Sequence, residues 1–569
     1  MPFRAPVADC QFILDHVVDY AQVSATERFA QAGADTVAAI LDEAAKLTDN
    51  VLAPVNRNGD TDPARLENGV VVTPKGFAQA YAQLAEGGWM GLSASEEAGG
   101  MGLPATVATA VNEMMQSGCL ALMLNPLMTQ GQIEALEHHA SDDLKAIYLP
   151  KLISGAWCGT MNLTEPGAGS DVGALRAKAE PLDDGTYAIS GQKIFITWGD
   201  NDFAENICHL VLARLPDGAA GTKGISLFMV PKYLPQADGT LGAQNDLKVV
   251  SLEHKLGIHG SPTCVMEYNA AKGWLVGEKH GGMAAMFTMM NNARLGVGVQ
   301  GVAMAEAATQ KALDYSLERT QGRTSGPTGK IFDHTDVRRM LATMRADTYA
   351  ARALALACGV ALDLGRATGD ADWQARAALL IPIAKAFGTD TGHDVAQIGV
   401  QVHGGMGYIE ETGAAQFARD ARITQIYEGT NGIQALDLVG RKLADGGEAA
   451  ARLLDEIEAF AESVRASHTA LAGPLWDAAE TLRETTEHLV TLPVGARGAG
   501  AVPYLRAFAR VLGGYFHLKA AVAEGGSGKR SRLACFYIER LLPEHRALLA
   551  AVSAGSATVE ALEVGDLEG

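Results

Sequence analysis

The sequence predicts a mostly α-helical protein with a central β domain and an additional helical domain at its C-terminal end. Apolar residues recur at helical spacing over most of the 569 residues. Between residues 160 and 278 the pattern changes to short runs rich in β-branched and aromatic residues. These predicted strands are clustered and do not alternate with helices, so a fold built from parallel βαβ units is not expected.

Residues 1–158 are predicted to form an N-terminal helical domain with a short N-terminal extension. Stretches such as DTVAAILDEAAKL and FAQAYAQLAEGGW carry apolar residues at helical spacing, and the breaks between them carry Gly, Pro and Asn. The closing stretch DDLKAIYLPKLISGAW predicts a helix that ends at Leu149, because Pro150 cannot donate a backbone hydrogen bond.

Residues 159–278 are predicted to form the middle β domain. Runs such as TYAISGQKIFIT, HLVLARL and GISLFMVPKY are separated by turn sequences such as DDG and PDG. Helical spacing resumes over residues 279–442, the third predicted domain, and continues in an additional helical domain over 446–569. The glycine-rich breaks GARGAGAVP and EGGSGKRS in that last domain are interpreted as solvent loops between helices.

Composition disfavours several classes of protein. The chain has 46 Lys plus Arg against 66 Asp plus Glu, a formal charge of -20, which would repel nucleic acid. Its seven scattered cysteines show no C-x-x-C or Cys/His cluster, so neither a disulfide framework nor a metal site is expected. The N-terminus lacks the apolar core of a signal peptide, and no 18 apolar residues run together. We therefore expect a cytoplasmic protein without a membrane span.

The stretch GVGVQG at residues 296–301 has the G-x-G-x-x-G spacing of a dinucleotide-binding loop, and Glu318 follows at a suitable distance. That spacing is informative only where a strand leads into it, and the preceding stretch is rich in Met and Ala. Gly298 and Gly301 instead form a small-residue face on a predicted helix, where a neighbouring helix approaches closely. A nicotinamide-dependent oxidoreductase is therefore a distant alternative.

Two other stretches indicate chemistry more specifically, and the first is NLTEPGAGSD at Asn162–Asp171. One proline and two glycines restrict its backbone, while Thr164 and Ser170 offer hydroxyl groups. Such a loop presents several N–H donors to a carbonyl-rich ring or a phosphate. The alternative is an ordinary polar turn.

The second stretch is QIYEGTNGIQ at residues 425–434. Glu428 lies between Tyr427 and Gly429 in a segment with few other charges. Its carboxylate is expected to be partly desolvated, with the raised pKa that a general base requires. Taken alone, a glutamate in this setting is more often a solvated loop residue.

Together with SGQKIFIT and QVHGGMGY at 401–408, these motifs resemble, in this order and spacing, the acyl-CoA dehydrogenase family over about residues 40–442. The resemblance implies a helical N-terminal domain, a β-barrel-like middle domain, a C-terminal four-helix bundle and bound FAD. The implied reaction converts an acyl-CoA thioester to the 2-enoyl-CoA. Glu428 would remove the proton next to the thioester carbonyl, since relatives with the base on another helix carry it at the position of Ala293.

The resemblance also assigns binding roles residue by residue. Phe195 stands where many relatives have Trp, Arg319 would reach the FAD pyrophosphate across a subunit interface, and the segment at Gln401 would meet the adenosine of a partner subunit's FAD. The implied FAD-binding residues are Met161, Leu163, Thr164, Gly169, Ser170, Phe195, Ile196, Thr197, Arg319, Gln321, Gln401, Gly404, Gly405 and Thr430. The implied substrate-binding residues are Ser170, Arg294 and Gly429.

The opening MPFRAPVADCQFILD and the long C-terminal segment resemble a subgroup of the family that acts on 3-methylmercaptopropionyl-CoA, a compound of dimethylsulfoniopropionate breakdown. A short- or medium-chain acyl-CoA is the other expected substrate. We expect an electron-transfer flavoprotein as acceptor, with an acyl-CoA oxidase that uses oxygen as the alternative. A homodimer is expected, because the C-terminal segment would cover the face that relatives use to build tetramers. A non-catalytic scaffold relative is a distant alternative.

Overall fold

The computed structural model describes residues 2–236, 238–324 and 326–568, and the side chains of residues 291 and 292 lie outside the description. Helices dominate the chain as far as residue 153. They are α1 (Val7–His16), α2 (Ala21–Ser24), α3 (Ala34–Leu47), α4 (Ala53–Thr61), α5 (Phe77–Glu86), α6 (Ala105–Gly118), α7 (Leu120–His139) and α8 (Asp142–Ile153). A hairpin of β1 (Arg65–Glu67) and β2 (Val70–Val72) interrupts them, which the helical spacing did not predict.

Strands then follow one another, as the alternating runs predict. They are β3 (Trp157–Asn162), β4 (Lys178–Pro181), β5 (Tyr187–Thr197), β6 (Asn206–Arg214), β7 (Ile225–Pro231), β8 (Tyr233–Pro235), β9 (Leu241–Gln244), β10 (Leu247–Leu252) and β11 (Thr263–Val276). Strands β8 and β9 form a separate hairpin. The predicted strand-rich region is confirmed.

Strand pairing closes the main sheet into a barrel. Strand β11 pairs with β5, β5 with β4, β4 with β6, β6 with β7, and β7 again with β11, so the ring of partners is complete. Strands β10 and β3 are added to the ring beside β11 and β6. Closure leaves few free strand edges. The barrel-like middle domain implied by the resemblance is confirmed.

Long helices follow the barrel. They are α9 (Gly282–Glu318), α10 (Thr335–Thr368) and α11 (Ala371–His403), with the shorter α12 (Ala414–Arg422) and α13 (Asn431–Asp437) packed on α11. The additional C-terminal helices are α14 (Glu448–Ser463), α15 (Thr469–Thr491), α16 (Ala501–Ala523), α17 (Lys529–Phe536), α18 (Glu544–Ser553), α19 (Ala557–Glu560) and α20 (Val564–Leu567). Helix α16 packs against α10, α11 and α13.

The stretch GVGVQG lies in the middle of helix α9, with no strand leading into it. A Cβ atom on Gly298 would lie 2.7 Å from the Ala384 carbonyl oxygen, and one on Gly301 would lie 2.1 Å from the Gly388 oxygen. Helices α9 and α11 therefore touch through their backbones, which side chains at these positions would prevent. The interpretation of these glycines as a packing surface is confirmed.

Among the described residues, α10 is the helix that is long and apolar enough to cross a membrane. In its most apolar 18-residue window, 94% of the residues are buried inside the protein. Its ends also carry charged residues such as Arg338, Arg339 and Arg366. These features are those of a core helix.

Two local predictions were wrong. Helix α8 continues through Pro150 to Ile153, since the missing N–H costs one hydrogen bond and the apolar side chains beyond it are buried. The break GARGAGAVP is a short 3₁₀ helix (Val494–Gly500) and not a solvent loop. Arg497 is buried there and donates to the Val439 carbonyl oxygen at 2.8 Å.

The described chain divides into two compact units. Unit 1 comprises residues 1–45, 104–117 and 294–569, and holds the long helices and the additional C-terminal helices. Unit 2 comprises residues 46–103 and 118–293, and holds the barrel. The domain boundaries expected from the sequence stay a prediction; they are 1–158, 159–278, 279–442 and 446–569.

Candidate active site

The loop Asn162–Asp171 in unit 2 is fixed by a buried ion pair. Lys193 on β5 is completely buried, and its Nζ lies 2.8 Å from Glu165 Oε1 and 3.0 Å from the Leu163 carbonyl oxygen. The Glu165 carboxylate also accepts hydrogen bonds from the backbone N–H groups of Arg176 and Ala177, at 2.6 and 3.0 Å. Both oxygens of Glu165 are therefore used in fixing the loop to β5 and to the backbone just before β4.

The same loop lies against the strand that carries Phe195. The backbone N–H of Ile194 donates to the Thr164 carbonyl oxygen at 2.9 Å, so the structure brings these two predicted site segments together. Phe195 has a φ of 61°, unusual for an aromatic residue, and its side chain is 58% exposed. Such strain persists where the surroundings impose it and is typical of functional sites. Its neighbour Ile196 is buried.

Four glycines of the predicted FAD-binding motifs leave open space beside the backbone. No protein atom lies within 4 Å of an ideal Cβ at Gly167 or Gly169 in unit 2, nor at Gly404 or Gly405 in unit 1. Glycine there is not required by packing within the protein, in contrast to Gly298. These openings fit a ligand that approaches the backbone closely, as a flavin dinucleotide does. The residues present are compatible with FAD.

In unit 1 the structure brings together the two segments that the resemblance assigns to the phosphate and adenosine of FAD. The ring of Tyr315, one helical turn before Arg319, stacks on that of His403 with centroids 4.4 Å apart. Arg319, Gln401, Gly404 and Gly405 are all exposed. The two segments therefore share one surface.

That surface continues into an apolar loop. Met406, Tyr408 and Ile409 are 46%, 87% and 45% exposed. Large apolar side chains grouped in this way are typical of a surface that contacts another molecule. The Gln321 carbonyl oxygen, nearby in sequence to Arg319, is bonded to His334 Nε2 at 2.9 Å, while its side chain is exposed.

Glu428 lies at a left-handed turn between α12 and α13. Its φ is 56° and that of Gly429 is 85°, so two consecutive residues have left-handed backbone. The side chain is partly buried, and no described side chain or backbone group donates a hydrogen bond to its carboxylate. Its own backbone N–H has no acceptor among the described residues. An unused carboxylate and an unused N–H are thus adjacent.

Burial raises the pKa of Glu428 to about 7, and the charges of Arg294 and then Lys385 oppose this rise. A carboxylate with such a pKa is both ionised and basic near neutral pH, as a general base must be. This agrees with the pKa expected from its position between Tyr427 and Gly429. The Tyr427 hydroxyl donates to Gln300 Oε1 at 2.5 Å.

Other predicted residues surround this turn. Arg294 is buried, with its Nη1 3.9 Å from Asp437 Oδ2 on α13. Thr430 caps the start of α13, because its Oγ1 accepts the Ile433 N–H at 3.2 Å. Ala293, next to Arg294, is 2% exposed and offers no proton acceptor. Of the two positions that the resemblance assigns to a base, Glu428 is therefore the one that carries a carboxylate.

The residues that hold the turn lie outside the sequence motifs. Lys385 on α11 is completely buried and donates to the Thr424 carbonyl oxygen and to Asn431 Oδ1, each at 2.9 Å. Asp390, also on α11, accepts from Gln425 Nε2 at 2.6 Å and from Asn431 Nδ2 at 2.7 Å. A signal existed in the sequence, since Lys385 is a lone charge in the apolar stretch AALLIPIAKAF.

A closed barrel between helical regions, with a glutamate on a turn beside the long helices, defines an acyl-CoA dehydrogenase-like oxidoreductase. Family comparison agrees along most of the chain. Residues 34–156, 160–271 and 280–443 match the N-terminal, middle and C-terminal domains of acyl-CoA dehydrogenase, and 453–563 match a domain described as acetyl-CoA dehydrogenase C-terminal like. The chain belongs to the acyl-CoA dehydrogenase family.

Comparison with individual proteins shows which members of the family the chain is similar to. The chain is 47% identical over 544 residues to 3-methylmercaptopropionyl-CoA dehydrogenase of Ruegeria pomeroyi, covering 93% of this chain and 92% of that protein. It is 38% identical to a butyryl-CoA dehydrogenase of Syntrophomonas wolfei, covering 72% and 70%. Among solved structures, Caenorhabditis elegans ACDH-11 in complex with C11-CoA shares the fold, with a TM-score of 0.79 at 20% identity over 95% of this chain and 92% of that one.

Proposed function

We propose that this protein catalyses the FAD-dependent α,β-dehydrogenation of an acyl-CoA thioester, with Glu428 as the base. The observation that carries the proposal is the state of Glu428: a partly buried carboxylate with a pKa near 7, two cations nearby and no hydrogen-bond donor. A carboxylate that is not used to hold the fold is free to accept a proton from a substrate.

In this reaction Glu428 takes the proton from the carbon next to the thioester carbonyl. The neighbouring carbon loses a hydride, so the substrate gives up two electrons and two hydrogens and becomes the 2-enoyl-CoA. Negative charge develops on the thioester oxygen as the proton leaves, and the unused N–H of Glu428 is a donor suited to it. Bound FAD would supply the hydride acceptor.

The residues proposed to hold FAD fall into the two units. In unit 2 they are Met161, Leu163, Thr164, Gly169, Ser170, Phe195, Ile196 and Thr197, and in unit 1 they are Arg319, Gln321, Gln401, Gly404, Gly405 and Thr430. Open glycine backbones and an exposed guanidinium support this assignment, since pyrophosphate binding needs N–H donors and a positive charge. Thr430 Oγ1 already accepts the Ile433 N–H at the start of α13, which leaves its hydroxyl proton and its backbone for contact with FAD.

For the substrate we propose 3-methylmercaptopropionyl-CoA. The support is the likeness to the Ruegeria pomeroyi enzyme at 47% identity, which covers 93% of this chain and so reaches beyond the three core domains. Ser170, Arg294 and Gly429 are the proposed substrate-binding residues. Graded acyl-CoAs would test this choice, because a butyryl-CoA preference would place the protein nearer to the Syntrophomonas wolfei relative.

We further propose an electron-transfer flavoprotein as the acceptor, and a homodimer in the cytoplasm as the active form. The exposed apolar loop at Met406, Tyr408 and Ile409, next to the segments proposed to contact FAD, supports contact with a second copy. Hydrogen peroxide formation without the acceptor protein would instead favour an oxidase. Analytical ultracentrifugation of the yellow protein would reveal a monomer or a tetramer if the dimer is wrong.

The test of the base is Glu428→Gln, with Glu448→Gln on the surface of α14 as the matched control. Both variants should retain the yellow flavin and the melting temperature of the wild-type protein. Anaerobic addition of 3-methylmercaptopropionyl-CoA should bleach the wild type and the control, while Glu428→Gln should bleach about 10²- to 10⁴-fold more slowly. Bleaching of the Glu428 variant at the wild-type rate would refute the assignment.

A further inference from the structure

We infer that Lys385 is a positioning residue for the reaction, holding the turn that presents Glu428; this inference rests on the proposed function. Lys385 lies in the apolar middle of α11 and has no exposed surface. Burying an ammonium group in such surroundings is costly unless every proton finds a partner. Its presence there therefore calls for a role that a leucine would not serve.

The partners of Lys385 are placed on both sides of Glu428. The Thr424 carbonyl oxygen precedes the glutamate by one turn of chain, and Asn431 Oδ1 follows it, and both accept from the ammonium at 2.9 Å. Asp390, five residues later on α11, binds the amides of Gln425 and Asn431. One helix thus fastens both ends of the segment 424–431.

The turn needs such fastening because its backbone is strained. Glu428 and Gly429 both have left-handed φ angles, and a glutamate adopts that conformation only when neighbouring contacts impose it. Helix α11 is itself held in place by its backbone contact with α9 at Gly298 and Gly301. The packing of α9 on α11 therefore helps to fix the position of the proton acceptor through Lys385 and Asp390.

Lys385 also acts on Glu428 through its charge. Arg294 from α9 and Lys385 from α11 are the cations that lower the pKa of Glu428 against the effect of burial. Further charged groups around the turn include three carboxylates, Asp390 on α11, Asp420 on α12 and Asp437 on α13, and two arginines, Arg441 after α13 and Arg422 at the end of α12, which donates to Gln425 at 2.9 Å. Loss of the lysine charge leaves Arg294 as the principal cation, so the pKa of Glu428 should rise.

The experiment compares holoenzymes of wild type, Lys385→Met, Lys385→Arg and a control, Lys519→Met. Lys519 is a largely buried lysine on α16, whose ammonium pairs with Asp19 at 2.9 Å and lies over the Tyr515 ring, and neither of these residues belongs to the turn. Two readouts are needed: the pH dependence of anaerobic flavin bleaching by acyl-CoA, and hydrogen–deuterium exchange of a peptide covering residues 423–433. The pH dependence reports the effect of the lysine charge on the pKa of Glu428. The exchange rate reports how firmly the turn is held.

In Lys385→Met we expect the acidic limb of the pH profile to move upward by about one pH unit, so that the rate at pH 7 falls about fivefold. KM should change little, and exchange in 423–433 should accelerate. In Lys385→Arg the acidic limb should lie at the same pH as in the wild type, because arginine keeps the positive charge. A Met variant with the wild-type limb and wild-type exchange would overturn the inference.

If Lys385→Met does not fold, Asn431→Ala provides a second test of the inference. It removes one acceptor of the ammonium without removing the charge. Exchange in 423–433 should accelerate while the pH limb stays in place, and unchanged exchange would count against the inference. A wild-type protein that acyl-CoA does not bleach would instead refute the proposed function, so the two failures are distinguishable.

Discussion

Two motif glutamates of this protein, Glu165 and Glu428, differ in the hydrogen bonds that their carboxylates accept. Glu165 lies in the barrel unit, beside a fully buried lysine at 2.8 Å, and accepts two backbone N–H groups. Glu428 lies in the helical unit, also beside a buried lysine, but accepts no hydrogen bond from the described residues. The lysine beside Glu428 is turned to the ends of the turn and not to the carboxylate.

This difference separates a structural carboxylate from a chemical one. In both regions burial lowers the pKa of the lysine, Lys193 or Lys385, to about 8, so the local surroundings of the two pairs are alike. What differs is how many donors the carboxylate has. A buried glutamate whose carboxylate accepts several hydrogen bonds stabilises the fold. A glutamate whose carboxylate accepts none remains available to take a proton from a substrate.

Loss of the Glu165 carboxylate should give the largest effect on stability. In Glu165→Gln the Lys193 ammonium stays buried without its counter-charge, so unfolding should become about 3–5 kcal/mol easier. Thermal and urea unfolding of the holoenzyme would measure this, with Glu428→Gln as the comparison that should unfold almost normally. Glu165→Gln combined with Lys193→Met should recover part of the loss. A wild-type melting temperature for Glu165→Gln would remove the distinction between the two glutamates.

Arg294→Gln should have an intermediate effect, and on the reaction instead of on folding. Arg294 is the first of the two cations that lower the pKa of Glu428, so its removal should raise that pKa further. The base is active when deprotonated, and a rise of its pKa by about one unit would lower the bleaching rate at pH 7 about fivefold. Arg294→Lys keeps the positive charge, so the acidic limb of the pH profile should stay at its wild-type pH. A rise in KM alone, with an unmoved limb, would reduce Arg294 to a substrate contact.

Thr430→Ala should give the smallest effect. The Thr430 side chain caps α13 just after the turn, and loss of an N-cap costs about 1 kcal/mol. Thr430→Ser keeps the capping oxygen and serves as the control, and chemical denaturation would compare the two. An unchanged FAD affinity in Thr430→Ala would show that its side chain serves the helix. A large loss of FAD would show a direct contact with the cofactor.

Sequence patterns predicted the order of helices and strands and the two principal motifs, because periodicity and restricted turn residues are local properties. They did not predict the passage of α8 through Pro150 or the burial of Arg497, since each depends on packing against distant parts of the chain. The β1–β2 hairpin was missed for another reason: its signal, the left-handed pair Asn68 and Gly69, is local but lies within a region of helical spacing. The fastening of the Glu428 turn, like the burial of Arg497, depends on distant parts of the chain. Lys385 lies 43 residues before the glutamate that it serves, and only its isolation in an apolar stretch marked it.

The central claim is that Glu428 is a base with a pKa near 7, and the pH dependence of single-turnover flavin reduction tests it most directly. The sign follows from the chemistry, because protonation of Glu428 below its pKa removes the base. Stopped-flow bleaching of the wild-type holoenzyme by 3-methylmercaptopropionyl-CoA should slow about tenfold per pH unit well below pH 7 and level off above it. A rate that is constant between about pH 5.5 and 8.5 would contradict the claim.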